Sequence, residues 1–394
     1  MSGVLSVMLE TMSSTRPASP APDAAPDAAP VAVPVPTQVS TQAPAPGSGS
    51  PPAYVYDLAE LDAHARAVRA ALGDVELYYA VKANPDPELL RTLVPYVDGF
   101  EVASGGELAH VREHFPHVPV ALGGPGKTDA ELLADVTRLH VESPGELRRL
   151  LASGRPADVL LRVNLDVSIE GAALAMGGGA TPFGMDPAGV DECVALLRTQ
   201  EAVRLRGIHA HLASGLDAPR MLELAATILD YARTLGVTEI NLGGGMAVSY
   251  ADPSDRFDWQ AYGRGLAALR RPGERLRIEP GRSLTVYCGR YVTYVIDVKR
   301  VHGELFAVVA GGTHHLRTPA TKGHDQPVLV SRPGEPVTIV GQLCTPKDVL
   351  ARRVPVALEA GDRVEFAMAG AYAWNISHHD FLMHPKPTFH YLTA

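Results

Sequence analysis

Cysteine is scarce: Cys193, Cys288 and Cys344 are the only three in 394 residues, and no Cys-x-x-Cys occurs. That excludes a disulfide framework and a cysteine-based zinc site, and it fits a reducing, cytoplasmic setting. No apolar run is long enough to span a bilayer. Basic charge is not in surplus either, with 35 Lys and Arg against 44 Asp and Glu and a formal net charge of −9, which argues against nucleic acid as the main ligand. Met1–Met12 has no Lys or Arg and contains Glu10, so it lacks the pattern of an export signal. Residues 13–52 carry 11 of the 33 prolines and almost no large apolar side chains. A segment of that composition cannot bury enough surface to fold alone, so 1–52 is expected to be a disordered Pro/Ala-rich tail.

The chain is 46% hydrophobic, with a mean hydropathy of +0.02, enough for a large core and a soluble enzyme. Asp57 to Leu72 places Leu58, Leu61, Ala65, Val68 and Leu72 at helical spacing, with Gly73 as the stop. Short apolar strands then alternate with helices: Val75–Lys82, Gly99–Ser104, Val118–Leu122, Leu139–Glu142, Val159–Asn164, Leu205–His211, Glu239–Leu242 and Arg277–Glu279. Eight such units predict parallel pairing and the length suits a closed (β/α)8 barrel over 53–283, the alternative being an open doubly wound sheet. From 284 to 394 the pattern turns to β-segments broken by Gly and Pro, a second, β-rich domain to which Ala53–Tyr56 adds a strand.

Three features carry chemistry. Lys82 ends an apolar strand and is stopped by Asn84-Pro85, at the strand end where barrel enzymes gather catalytic groups. Partial burial there is expected to lower its pKa and leave some amine neutral for condensation with an aldehyde. Asn241-Leu-Gly-Gly-Gly-Met246 runs a strand into glycines whose amides are placed to wrap an anion. Glu279-Pro-Gly-Arg282 sets a carboxylate and a guanidinium at a turn. An amine for an aldehyde, a nest for a phosphate and a carboxylate for a ring nitrogen together fit one cofactor, pyridoxal 5'-phosphate.

Two tempting motifs fail. Gly123-Gly-Pro-Gly-Lys-Thr128 ends like a phosphate loop, but Ala121 stands where its first glycine belongs. His314-His315 and His378-His379-Asp380 with His384 lack ligand spacing, so no metal is expected and they read instead as pocket groups for an anionic substrate.

With Tyr79-Ala-Val-Lys-Ala-Asn84, Val102-Ala-Ser-Gly-Gly-Glu-Leu108, Leu161-Arg-Val-Asn164, His209-Ala-His-Leu-Ala-Ser214, the triple glycine, Glu279-Pro-Gly-Arg282, Cys344-Thr-Pro-Lys-Asp348 and Gly370-Ala-Tyr372 in this order, the chain resembles the fold-type III pyridoxal-phosphate decarboxylases. This is the group of the diaminopimelate, ornithine and arginine enzymes. The resemblance implies that Lys82 holds the cofactor, His211 stacks on its ring, and His209 lines the pocket. It further implies that Glu279 meets the ring nitrogen, and that Ser214, Gly243, Gly244, Gly245 and Arg282 hold the phosphate. It also implies a head-to-tail homodimer in which Cys344, Asp348 and Tyr372 reach the partner's site, Cys344 as a proton donor.

Thr345 departs from that pattern, because the enzymes acting on basic amino acids commonly have an acid after the cysteine. Ala310–Arg317 and Trp374–Pro385 resemble the branch that decarboxylates citrate-linked amino acids in siderophore assembly. His314, His315, Arg317, His378 and His379 would suit a carboxylate-rich substrate. The alternatives are a basic amino-acid decarboxylase, an amino-acid racemase and a non-catalytic cofactor-binding protein. Asn84-Pro-Asp-Pro87 after the lysine speaks against racemisation, and the C-terminal β-domain against a bare binding barrel.

Overall fold

A computed structural model of the chain describes residues 32–34, 51–167, 174–175, 177–317, 325–330 and 332–393. Eight parallel strands close a barrel in the order Glu76–Ala80, Gly99–Val102, Val120–Leu122, Arg138–Val141, Ala157–Arg162, Val203–His209, Glu239–Asn241 and Arg275–Ile278. The last strand returns to the first through Arg277 opposite Glu76 and Ile278 opposite Leu77. All eight expected strands are present, and closure rules out the open sheet.

Capping residues start the helices between them. Asp57 accepts from the Glu60 amide at 2.9 Å ahead of Leu58–Leu72. Ser104, Ser143, Asp186 and Asp217 cap Gly105–His114, Pro144–Ala152, Pro187–Leu197 and Ala218–Thr234 in the same way, each satisfying an amide that the first turn leaves open. Leu61, Ala65, Val68 and Leu72 form the buried face of the first helix, as their spacing predicts.

The N-terminal end of the barrel is a buried ion layer. Arg277, 2% exposed, pairs with Glu76 at 2.6 Å and Glu239 at 3.0 Å and lies over the Tyr78 ring. Arg138 grips Glu239 through two nitrogens at 2.7 and 2.8 Å. This end closes the barrel and leaves the C-terminal end to carry the chemistry.

The second domain is built on the long strand Gly289–Val301, which pairs antiparallel with Ala53–Asp57, Glu304–Val309 and Arg363–Phe366. Pro333–Val340 runs parallel to Glu304–Val309 and antiparallel to Val349–Val356. Thr388–Leu392 pairs with Ala53–Asp57 on its other edge. The expected N-terminal strand is therefore interior to the sheet. Val349–Val356 and Thr388–Leu392 escape the sequence pattern. In the first, Arg352, Arg353 and Pro355 break the alternation, and Arg353 takes a positive φ of 49°. Within the segment expected to be disordered, Ala32–Pro34 forms a short strand alongside Val328–Val330; residues 1–31 and 35–50 lie outside the described residues.

Gly263 marks the tightest helix contact. A Cβ there would come within 1.9 Å of the Ala71 carbonyl oxygen, where Trp259–Leu269 crosses the first helix. Gly263→Ala must push the helices apart, and urea unfolding should report a loss of about 2–3 kcal/mol. A change under about 0.5 kcal/mol would mean that this crossing is slack.

Candidate active site

The site stands at the C-terminal mouth of the barrel. Lys82 lies in the single turn Val81–Ala83 that follows the first strand. Three hydrogen bonds tie this turn to the second domain: Asn375 Nδ2 donates to the Lys82 carbonyl at 2.8 Å, the Tyr372 amide to the Ala83 carbonyl at 2.8 Å, and Asn84 Nδ2 to the Gly370 carbonyl at 3.0 Å. Gly281 fits between the turn and the last barrel strand, since a Cβ there would meet Ala83 Cβ at 2.8 Å.

Lys82 Nζ donates to Glu101 Oε2 at 2.7 Å. Burial opposes the ammonium charge, but Glu101 outweighs it and holds the lysine above its ordinary value. The expected lowering is thus corrected, because a buried carboxylate on the second barrel strand faces the amine. Burial in turn raises the Glu101 carboxyl, against the pull of Lys82 and with the help of Glu279 nearby.

Glu279 is 4% exposed. Asn241 Nδ2 donates to its Oε1 at 2.6 Å, His209 Nε2 is 3.3 Å from Oε2, and His140 Nε2 is 3.8 Å from Oε1. His140 and His209 stack with ring centroids 4.2 Å apart. Burial drives both histidines well below the usual value, so they are neutral. Across the site the Gly244 amide donates to His211 Nδ1 at 3.2 Å. The proton of His211 is therefore on Nε2, an atom that is buried and has no partner among the described residues, and burial pushes this ring down to about 3.

The triple glycine is sterically required. A Cβ on Gly243, Gly244 or Gly245 would meet His211 Cβ at 2.7 Å, the Glu279 carbonyl oxygen at 2.5 Å or the Ala213 carbonyl oxygen at 2.2 Å. Its amides are not all bare, however. Gly243 donates to Asn241 Oδ1 and Gly244 to His211, which leaves the Gly245 amide, beside Ser214 and at a φ of +107°, as the one without an acceptor among the described residues. Arg282 Nη1 donates to the Tyr250 hydroxyl at 2.7 Å, and its guanidinium lies 4.5 Å from the Tyr372 ring centre.

Tyr372 therefore joins the site of its own chain. The expectation that it reaches a partner's site is corrected by this contact and by its amide bond to Ala83. Cys344 is different: it is exposed, and among the described residues no hydrogen bond or ion pair joins it to the Lys82 group. Asp348 is 2% exposed and spends both oxygens on its own loops, accepting from the Thr313 amide at 2.6 Å, the Thr313 hydroxyl at 2.8 Å and the Leu343 amide at 2.8 Å. It clamps the turn that presents Cys344 and is not free to meet a substrate.

The late histidines divide. His315 is buried with both ring nitrogens engaged, by the Tyr291 hydroxyl at 3.1 Å and the Pro385 carbonyl at 2.9 Å, so it is a core residue rather than a substrate contact. His314 is fully buried beside it with neither nitrogen bonded. Arg317 and His378 are exposed, and His379 packs on Trp374 with ring centres 4.5 Å apart. Lys127, from the rejected phosphate loop, is buried against Glu146 at 2.6 Å.

The full-length comparisons agree with this geometry. Residues 58–286 match the family model described as pyridoxal-dependent decarboxylase, pyridoxal binding domain. The chain belongs to the pyridoxal-dependent decarboxylases. It is 39% identical, over 86% of its length and 94% of the relative's, to a Staphylococcus aureus protein named 2-[(L-alanin-3-ylcarbamoyl)methyl]-2-hydroxybutanedioate decarboxylase. It is 37% identical, over 82% of its length and 79% of the relative's, to a diaminopimelate decarboxylase of Actinosynnema pretiosum. Its fold matches that of Helicobacter pylori diaminopimelate decarboxylase with a TM-score of 0.78 and 24% identity, covering 87% of this chain and 91% of the other.

The decarboxylase uses pyridoxal phosphate, and the residues present suit that group. Among the described residues, a lysine amine, a buried carboxylate, an unpartnered histidine N–H, an arginine held by two tyrosines and a glycine amide without an acceptor belong to this end of the barrel. Glu101, His140, Asn241 and Arg162 were not singled out from the sequence as site residues. Arg162 donates to Glu142 at 2.6 Å within the same mouth. Their signal is a charged or polar residue within a short barrel strand, as for Glu101 and His140, or at a strand's C-terminal end, as for Asn241 and Arg162.

The buried histidines make stability depend on pH. In the unfolded chain each titrates near its ordinary 6.5, whereas burial takes His315 to about 3 and His140 and His209 well below the usual value. The unfolded state therefore binds more protons below that ordinary value, so the stabilisation is complete above it and drains away as pH falls. The urea midpoint of cofactor-free protein should drop from about pH 7 to about pH 5. The drop should shrink in His315→Gln, and a midpoint that is flat with pH would contradict the neutral assignment.

Proposed function

We propose that this enzyme decarboxylates a citrate-linked amino acid, a step of siderophore assembly, in the cytoplasm. The observation that carries the reading is the 39% identity along nearly the whole of a relative whose name describes a hydroxydicarboxylate joined by an amide to an amino acid. Thr345 supports it, because a distal ammonium has no acid to meet at that place. Exposed Arg317 and His378, with His379, supply groups for carboxylates. The rival substrate, diaminopimelate, is favoured by the 37% relative and disfavoured by Thr345.

In this reading Lys82 would be the attachment point, with Glu101 placed at 2.7 Å to accept its proton. Glu279 would pair with the ring nitrogen, and His211 would support the ring. Arg282, Tyr372, Ser214 and the Gly245 amide hold the phosphate. Bound pyridoxal phosphate supplies the electron sink that stabilises the charge left on Cα as CO2 departs. Cys344 of a second copy delivers the proton to Cα, its turn held rigid by Asp348. The exposed Phe381, Leu382 and Met383, at 46%, 47% and 90%, give a homodimer apolar surface to bury.

Mass spectrometry of the enzyme with free diamino acids and citryl-amino acids should show loss of CO2 from the conjugate and little from lysine, ornithine or diaminopimelate. Arg317→Ala and His379→Ala should each lower kcat/KM for the conjugate roughly ten- to a hundredfold, the worth of one charge-assisted contact, and barely affect any turnover of a diamino acid. Diaminopimelate as the better wild-type substrate would overturn the siderophore reading and leave the decarboxylase standing.

Shared sites are tested by mixing. Lys82→Ala and Cys344→Ala proteins, each inactive, should form hybrids with one complete site and recover up to about a quarter of wild-type activity. No recovery after proven subunit exchange would place Cys344 in its own chain's site.

A further inference from the structure

His140 is the group in the barrel that the reading above leaves without a task. It sits on Arg138–Val141, fully buried, with neither ring nitrogen bonded, and the stacked His209 is in the same state. Four buried, unpartnered ring nitrogens in one place call for an explanation. The acid nearest to both rings is Glu279, 3.3 Å from His209 Nε2 and 3.8 Å from His140 Nε2. The other side of His140 points at the lysine pair: a Cβ on Gly123 would lie 3.3 Å from His140 Nδ1 and 3.4 Å from Glu101 Oε1. Gly123 thus leaves the room that lets this ring stand between the two carboxylates of the site.

We propose that His140 is a positioning residue for Glu279, forming with His209 and Asn241 a sleeve of uncharged donors that aims the carboxylate at the cofactor's ring nitrogen. The choice of donors matters. An arginine or lysine in that place would aim Glu279 equally well but would compete with the ring nitrogen for its charge. Lys127, Arg162, Arg277 and Lys82 surround the stack and act on its rings, yet each has its own carboxylate: Glu146, Glu142, Glu76 with Glu239, and Glu101. Within 4 Å, the side-chain partners of Glu279 among the described residues are Asn241 and the two neutral rings. The inference rests on the reading that Glu279 meets the ring nitrogen.

The test uses His140→Phe, which keeps the ring stack but removes the nitrogens, and His140→Gln, which restores a donor. Each is titrated with pyridoxal phosphate and with its 1-deaza analogue, whose ring carries CH in place of nitrogen, and binding is followed by absorbance. Far-UV circular dichroism confirms that each variant is folded. His140→Phe should bind pyridoxal phosphate roughly tenfold more weakly than wild type and the deaza analogue equally well. It should lose kcat with little change in KM, and His140→Gln should recover most of both losses.

In a Glu279→Gln background the His140→Phe effect should vanish. Equal weakening toward both cofactors would make His140 a packing residue and overturn the proposal. One equivalent of zinc in purified wild-type protein, lost in His140→Phe, would also overturn it, because His140, His209 and Glu279 have ligand atoms within 4.8 Å of one another and would then be a metal site. If wild type binds the two cofactors equally, it is the Glu279 reading that fails, an outcome distinct from failure of His140 alone.

Discussion

The turn that carries Lys82 is not held by the barrel alone. Its carbonyls and the Asn84 side chain are bonded to Gly370, Tyr372 and Asn375, so the reactive amine is fixed where two domains meet. The rest of the site depends on that seam. Gly281 brings the Glu279 turn close against Ala80 and Ala83, and Tyr372, at a φ of 49°, reaches Arg282 from the second domain. A strained backbone of this kind persists only where its surroundings over-determine it, and here the surroundings are the lysine turn itself. Loosening the seam would displace amine, guanidinium and carboxylate together.

Electrostatics divides the barrel along its axis. At the closed end, arginines and glutamates neutralise one another in a buried layer. Two cavities of about 370 Å3 open there around Arg138, but Arg138, Arg206 and Arg275 are tied to Glu239, Asp158 and Glu76. At the open end the pattern reverses. Glu101 has one cation and Glu279 only neutral partners, and the histidines around them are kept uncharged by burial.

The barrel was legible because short apolar strands alternate with helical segments eight times, and local chemistry fixes both. The turns at Lys82, Gly243 and Glu279 were legible because lysine, glycine and glutamate are costly or unusual where they stand. What was hidden depends on long-range pairing. No local pattern shows that Glu101 faces Lys82, that Asp348 folds back on Thr313, or that His315 is claimed by Tyr291 and Pro385. The lysine's pKa was misjudged for that reason, since burial could be read from its strand while its counter-ion lies on the neighbouring one. Tyr372 was assigned to the wrong subunit for a similar reason, because its path back to Ala83 spans nearly the whole chain.

Ala53–Asp57 is the earliest element of the domains in the chain, yet it lies between Gly289–Val301 and Thr388–Leu392. On the ribosome this strand emerges before the barrel and must wait, unpaired, while all eight barrel units are made. Its second neighbour, Thr388–Leu392, is made well after the barrel. The barrel can assemble as it is synthesised, but the seam that seats Lys82 closes only once Gly370, Tyr372 and Asn375 have been made. A truncated or stalled product would therefore carry the barrel's share of the site without the frame that holds its lysine.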